Sequence, residues 1–104
     1  MEELIRQAIA ERRLVAYRYN GQRRVGEPHL YGTMNGKPTL LVYQTEGTSF
    51  AGPYPNWRRL SLDGISRFTI TGRSFEHARL SPGIVGEWSD VWAIVRERPD
   101  DQTS

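Results

Sequence analysis

Two Asn-Gly pairs, Asn20-Gly21 and Asn35-Gly36, lie fifteen residues apart among short runs rich in β-forming residues. Both residue types tolerate positive φ, and such a pair between alternating segments is the strongest local signal for a two-residue hairpin. Before the first pair, Val15, Tyr17 and Tyr19 alternate with Ala16, Arg18 and Asn20, the period of a strand with one buried face. The return strand runs through Arg23, Arg24 and Val25, and Pro28 is expected to stop it, because proline gives no N–H to a ladder. His29-Leu30-Tyr31 then leads into the second turn, and Thr39 to Gln44 (TLLVYQ) is the most apolar strand and the expected centre of the sheet. Arg58 to Leu62 alternates again, Asp63-Gly64 is a third turn signal, and Ile65 to Thr71 is a strand ended by Gly72.

Helix is expected at the two ends. Leu4, Ile5, Ala8 and Ile9 recur at helical spacing over residues 2–13, with Glu2 and Glu3 suited to the positive end of the helix dipole. That stripe must dock on the sheet through Leu4, Ile5 and Ile9. Trp88, Val91, Trp92 and Val95 fit a short second helix with Ser89 as its cap, although VWAIV also reads as a strand. The expected fold class is therefore mainly β: about five antiparallel strands in a strongly bent sheet or small, partly open barrel, an N-terminal helix, and a short C-terminal helix. One domain should cover residues 1–98, with 99–104 as a frayed tail.

Residues 45–57 (TEGTSFAGPYPNW) break the pattern, with three aromatics among two glycines and two prolines. A loop of about a dozen residues is long enough to suggest a role. Trp57 is expected to anchor its end by burial, leaving Phe50 or Tyr54 partly exposed.

Several chemistries are excluded. There is no cysteine, so no disulfide, thiolate zinc site or cysteine nucleophile, which fits a reducing cytoplasm. The first thirteen residues carry charges throughout and do not form a signal peptide, and no apolar run approaches the ~18 residues of a membrane span. His29 and His77 stand far apart, and the acidic residues are scattered. No metal-ligand spacing, phosphate-binding glycine loop or nucleophile elbow is present, so neither metal nor cofactor is expected, and a binding role is favoured over catalysis.

What remains is basic and aromatic. The net charge is +2, but residues 12–79 hold eleven arginines and lysines against four carboxylates, and Lys37 is the only lysine. Arginine presents a planar fork suited to phosphate and carboxylate. Arg23, Arg24, Arg58 and Arg59 lie on expected strands, with Tyr43, Tyr54 and Trp57 near them. Arginines interleaved with aromatics suit single-stranded nucleic acid or a nucleotide. The same rings are equally the core of a small β domain, and the same charges a solvated face.

From about Leu4 to Phe75 the sequence resembles the WYL family. The resemblance rests on Ala8-Ile9, Val15-Ala16-Tyr17-Arg18-Tyr19, Arg24-Val25-Gly26-Glu27-Pro28, the strand Leu40 to Gln44, and Arg58-Arg59-Leu60-Ser61-Leu62-Asp63-Gly64-Ile65. It implies an SH3-like or Sm-like small barrel. In bacterial transcription regulators such a domain usually binds the effector, and some bind single-stranded nucleic acid or nucleotide-like ligands in a basic pocket. The Trp-Tyr-Leu triplet that names the family falls on Pro38-Thr39-Leu40, and two of its arginines become Ser61 and Gly64, leaving Arg24 and Arg58 as counterparts of the pocket arginines. The sequence more closely resembles a subset of short, stand-alone relatives, in a pattern carried by Pro28-His29, Tyr43-Gln44, Gly47, Ser49, Pro55 and Trp57-Arg58. A chain of 104 residues leaves no room for a helix-turn-helix beside such a domain.

The resemblance thus implies a ligand- or nucleic-acid-binding module, a sensor or accessory regulatory unit in a bacterial cytoplasm. Arg24 and Arg58 would converge on an anionic group, and His29, Gln44, Ser49 and Trp57 would shape the pocket. The alternative is a protein-interaction module that uses a strand edge or the loop 45–57.

Overall fold

The computed structural model describes residues 1–47 and 56–99. Among them, helix α1 (Glu2–Glu11) precedes strands β1 (Arg13–Tyr19), β2 (Gln22–Met34), β3 (Lys37–Gly47) and β4 (Asn56–Ser61). A 3-10 turn (Leu62–Gly64), β5 (Ile65–Ser74), the one-turn helix α2 (Pro82–Val85) and β6 (Asp90–Ile94) follow. The strands form one antiparallel sheet in the order β4-β3-β2-β1-β5, and β6 pairs with β2 beyond the end of β1.

Both Asn-Gly hairpins form as expected. Asn20 and Gly21 have φ of 50° and 85°, and Asn35 and Gly36 have 52° and 76°, the double positive φ that a two-residue turn needs. Tyr19 therefore pairs with Gln22, and Met34 with Lys37.

Helix α1 is shorter than expected because Arg12 adopts φ 52°, a left-handed cap whose N–H bonds back to the carbonyls of Ala8 and Ile9. Ile5, Ala8 and Ile9 form the buried stripe. Leu4, expected to pack inward, is 40% exposed. A ten-residue helix with three buried positions has no room for a wider apolar face.

Pro28 does not stop β2. The strand passes through it to Met34, with the register shifting between Pro28 and Leu30. Pro28 sits at this bulge, between the stretch of β2 paired with β1 (through Gly26) and that paired with β6 (from Leu30). The ladder is already interrupted there, which is where a strand tolerates proline. Similarly, β5 continues through Gly72 to Ser74, and the Phe75 N–H bonds the Arg12 carbonyl.

The helix expected over 88–97 is instead strand β6. A thirteen-residue β2 outruns β1, and its exposed backbone from Leu30 to Thr33 is completed by Asp90–Ile94. A helical turn does form upstream, at Pro82–Val85, where Ser81 rather than Ser89 supplies the cap.

Both faces of the sheet are covered. Leu40 and Val42 join Ile5, Ile9, Val15, Leu60 and Phe68 in the core under α1, while Leu41 joins Leu30 and Trp88 beside α2. Alternate residues of β3 thus enter different cores, which explains its continuous apolar run. No helix among the described residues is long and apolar enough to cross a membrane.

Candidate functional site

The two arginines singled out from the sequence end up on the same face of the sheet. Arg24 on β2 lies opposite Tyr17 of β1, and Arg58 on β4 lies opposite Val42 of β3. Tyr17 and Val42 are both core residues, and directly paired residues share a face. Arg24 and Arg58 are only 8% and 5% exposed. The two positive charges feel each other and the Tyr17 phenol.

Their hydrogen bonding is incomplete. Arg24 has one long contact from Nη2 to Gln22 Oε1, 3.5 Å, and its guanidinium lies 5.3 Å from the centre of the Tyr19 ring. Arg58 donates from Nη1 to the Trp57 carbonyl at 3.1 Å. Among the described residues, Arg24 Nε, Arg58 Nε, Arg58 Nη2 and the Tyr17 hydroxyl are buried without a hydrogen-bond partner. Desolvation first, and the Arg24 charge second, lower the Arg58 pKa. Burial raises that of Tyr17, against the opposing pull of Arg24 and Arg58. A buried charge without a counter-charge is among the costliest arrangements a fold can hold. The cluster supplies donors and positive charge, the complement of a phosphate or carboxylate.

Glu27, the nearest carboxylate in sequence, is engaged elsewhere. It is buried and accepts from Arg79 Nε at 2.8 Å, and the Arg79 guanidinium covers the Tyr43 ring at 4.3 Å. The hydrogen bond to Glu27 is the main cause of a raised Arg79 pKa.

The other expected site residues divide. Gln44 is buried opposite Gly26, two residues from Val42 on the face of Arg58, and its Nε2 donates to the Gly47 carbonyl at 3.2 Å. His29 is fully buried; its Nδ1 lies 2.9 Å from the Glu27 carbonyl and its Nε2 accepts from the Arg79 N–H at 3.2 Å. Those contacts assign the proton to Nδ1. Stacked on Phe75 at 5.0 Å and edge-on to Trp57 at 4.9 Å, His29 joins segments of the fold. Trp57 is half-buried, so it is a lesser anchor than expected, and strand alternation turns it away from Arg58 toward Tyr43 and His29. Ser49, Phe50 and Tyr54 lie outside the described residues.

Other arginines are accounted for structurally. Arg59 makes a two-pronged ion pair with Glu87, at 2.8 and 3.0 Å. Arg12, which carried no signal beyond its charge, is buried and donates to the carbonyls of Glu76 and Arg96, tying the end of α1 to the C-terminal segment. Arg6 donates to the Trp92 carbonyl, so the β6 backbone is already engaged by side chains.

Tyr17 is the site residue that motif reading missed. The signal was present: a two-residue turn at 20–21 places Tyr17 opposite Arg24. No group of three or more metal-ligating side chains occurs among the described residues. In comparisons with known proteins, the chain matches no family model, no curated protein and no solved structure.

Proposed function

We propose that this chain is a binding module, not an enzyme, whose Arg24–Arg58–Tyr17 cluster holds an anionic group of single-stranded nucleic acid or of a nucleotide-like ligand. It acts as a sensor or accessory regulatory unit of a bacterial cytoplasm, in the manner of a WYL-like small barrel. The observation that carries this reading is the pair of buried, converging guanidinium groups with no carboxylate partner among the described residues. A bound anion replaces the missing counter-charge and accepts from the orphaned donors.

The barrel assignment has its own support. In the strand order β4-β3-β2-β1-β5, the outermost strands β4 and β5 are joined by a single 3-10 turn, a short connection that favours curling the sheet on itself. The Ser61 N–H bonds the Tyr19 hydroxyl at 3.2 Å, and the Asn20 N–H bonds the Gly64 carbonyl at 3.0 Å. Both bonds draw the β4–β5 connection against the first hairpin, in the direction of closure.

A protein-interaction role is the second reading, and the exposed Val91, Trp92 and Ile94 of β6 favour it. Fluorescence anisotropy with labelled single-stranded oligonucleotides and nucleotides, at low and moderate salt, separates the two. The proposed site predicts binding that weakens steeply with salt and falls at least tenfold in Arg58→Met. Absence of binding at low salt, or binding indifferent to Arg58, refutes it.

A further inference from the structure

The face of the sheet opposite the buried arginine pair carries a second basic feature. Ala16, Arg18, Arg23, Arg67, Thr69 and one carboxylate, Glu46, are among the residues that line a cleft of about 450 Å³. Such a volume falls in the usual range for small-molecule sites. Tyr17 and Arg24 also border the cleft, but strand alternation turns their buried side chains to the other face. The registers explain why the cleft exists. Ala16 stands between Val25 and Thr69 on neighbouring strands, so small side chains form a floor. Arg18 stands directly between Arg23 and Ser66. Arg67 follows Ser66 at the irregularity of β5 and also lines the cleft, so three adjacent strands bring three arginines to one rim.

Two features of this rim disfavour a purely structural role. First, Arg18 and Arg23 are a directly opposed like-charge pair, an arrangement that weakens a sheet. None of the three arginines has a carboxylate partner among the described residues. The nearby Glu46 is bound instead to Arg73 at 2.6 Å. Second, Arg67 has φ 51° at a register shift of β5. A bulge residue in the left-handed region is ordinarily glycine. A long cationic side chain held there, with its guanidinium at a cleft, fits strain retained for a function.

We propose that this cleft is a separate anion site, independent of Arg24 and Arg58, that takes a compact oligophosphate: a pyrophosphate or triphosphate group. Three guanidinium groups around a small-residue floor match several closely spaced phosphates better than one isolated anion. They hold them by charge-assisted, two-pronged hydrogen bonds. The same chemistry is found in free polyphosphate and in the tail of a nucleoside triphosphate.

Isothermal titration calorimetry with inorganic tripolyphosphate at low salt tests the assignment, in an Arg58→Met background that removes the site of the buried pair, with ATP and orthophosphate as further arms. Arg18→Gln and Arg67→Gly are added singly to that background. Arg67→Gly suits the local backbone, so thermal melting separates loss of binding from loss of fold. Tripolyphosphate is expected to bind the Arg58→Met protein with one-to-one stoichiometry and much more tightly than orthophosphate. Its affinity should drop at least tenfold when Arg18→Gln or Arg67→Gly is added. Equal affinity for ATP and tripolyphosphate marks the phosphate chain alone as the ligand, and tighter ATP binding adds the nucleoside. Both results support the site. No heat with tripolyphosphate, equal affinity for orthophosphate, or affinity unchanged by Arg67→Gly overturns it.

Discussion

Glu27 accepts from Arg79 at 2.8 Å across fifty-two residues of chain, although Arg24 is only three residues away. Among the described residues, this pairing leaves the buried arginines without a counter-charge, and it ties Arg79 to β2 beside its bulge. Replacing Glu27 with Gln is expected to cost about 1 kcal/mol in stability, a modest figure because Arg79 is partly solvated. Denaturant unfolding measures that cost. Oligonucleotide affinity should change little in the same variant. A sharp rise in affinity would mean that Glu27 competes with the ligand for the arginines.

Arg58→Met should make the protein more stable and worse at binding. Buried charges replaced by apolar groups of similar volume often yield about 1–4 kcal/mol. A higher melting temperature combined with lost oligonucleotide binding marks a functional arginine. A lower melting temperature would place Arg58 among the structural ones.

The ligand should reverse that order of stability. Wild-type protein at an anion concentration a hundredfold above Kd gains about 2.7 kcal/mol, whereas Arg58→Met gains little. Thermal shift against oligonucleotide concentration checks this directly.

Alkaline pH acts through Tyr17. Burial raises its pKa in the folded state, so the phenol keeps its proton more tightly than in the unfolded chain. The associated stability is fully present below the unfolded value of about 10 and declines as pH rises toward the higher folded value. Tyr31, also raised by burial, contributes with the same sign. Urea midpoints between pH 8 and 11 should fall less steeply in Tyr17→Phe than in the wild type. At neutral pH that variant should be neutral or more stable by up to about 1 kcal/mol, because it deletes a buried hydroxyl that has no partner among the described residues.

Gly32 permits the docking of β6. A Cβ there would stand 1.9 Å from the Asp90 carbonyl oxygen, a backbone atom that cannot swing aside. Gly32→Ala is expected to cost about 1–3 kcal/mol. Hydrogen exchange should show lost protection at Val95, whose N–H bonds the His29 carbonyl at 2.8 Å. Unchanged protection at Val95 would show that β6 docks without this contact.

Local chemistry was legible in the sequence, and long-range pairing was not. Asn-Gly turns, alternation and the α1 stripe are properties of neighbouring residues, so they specify hairpins, strand faces and a helix without reference to the rest of the chain. The turn at 20–21 even placed Tyr17 opposite Arg24. The second hairpin defeats the same count. Leu30 pairs with Leu41 as the turn dictates, but a register shift at 28–30 moves Gly26 opposite Gln44, and a second shift at 25–26 restores the count, with Val25 opposite Glu46. At the second of these a Cβ on Gly26 would stand 2.3 Å from Val42 Cγ1, so the approach of β2 to β3 there needs a residue without a side chain. The fate of VWAIV was likewise decided by the unpaired length of β2, which exists only once β1 has ended. Which carboxylate meets which arginine is also a tertiary outcome: Glu27 goes to Arg79 and Glu87 to Arg59, and the arginines left over define the candidate sites. The sequence by itself determined where the chain turns and which faces are apolar. Only the folded chain decided which charges are buried without partners, because that depends on distances between residues that no local pattern encodes.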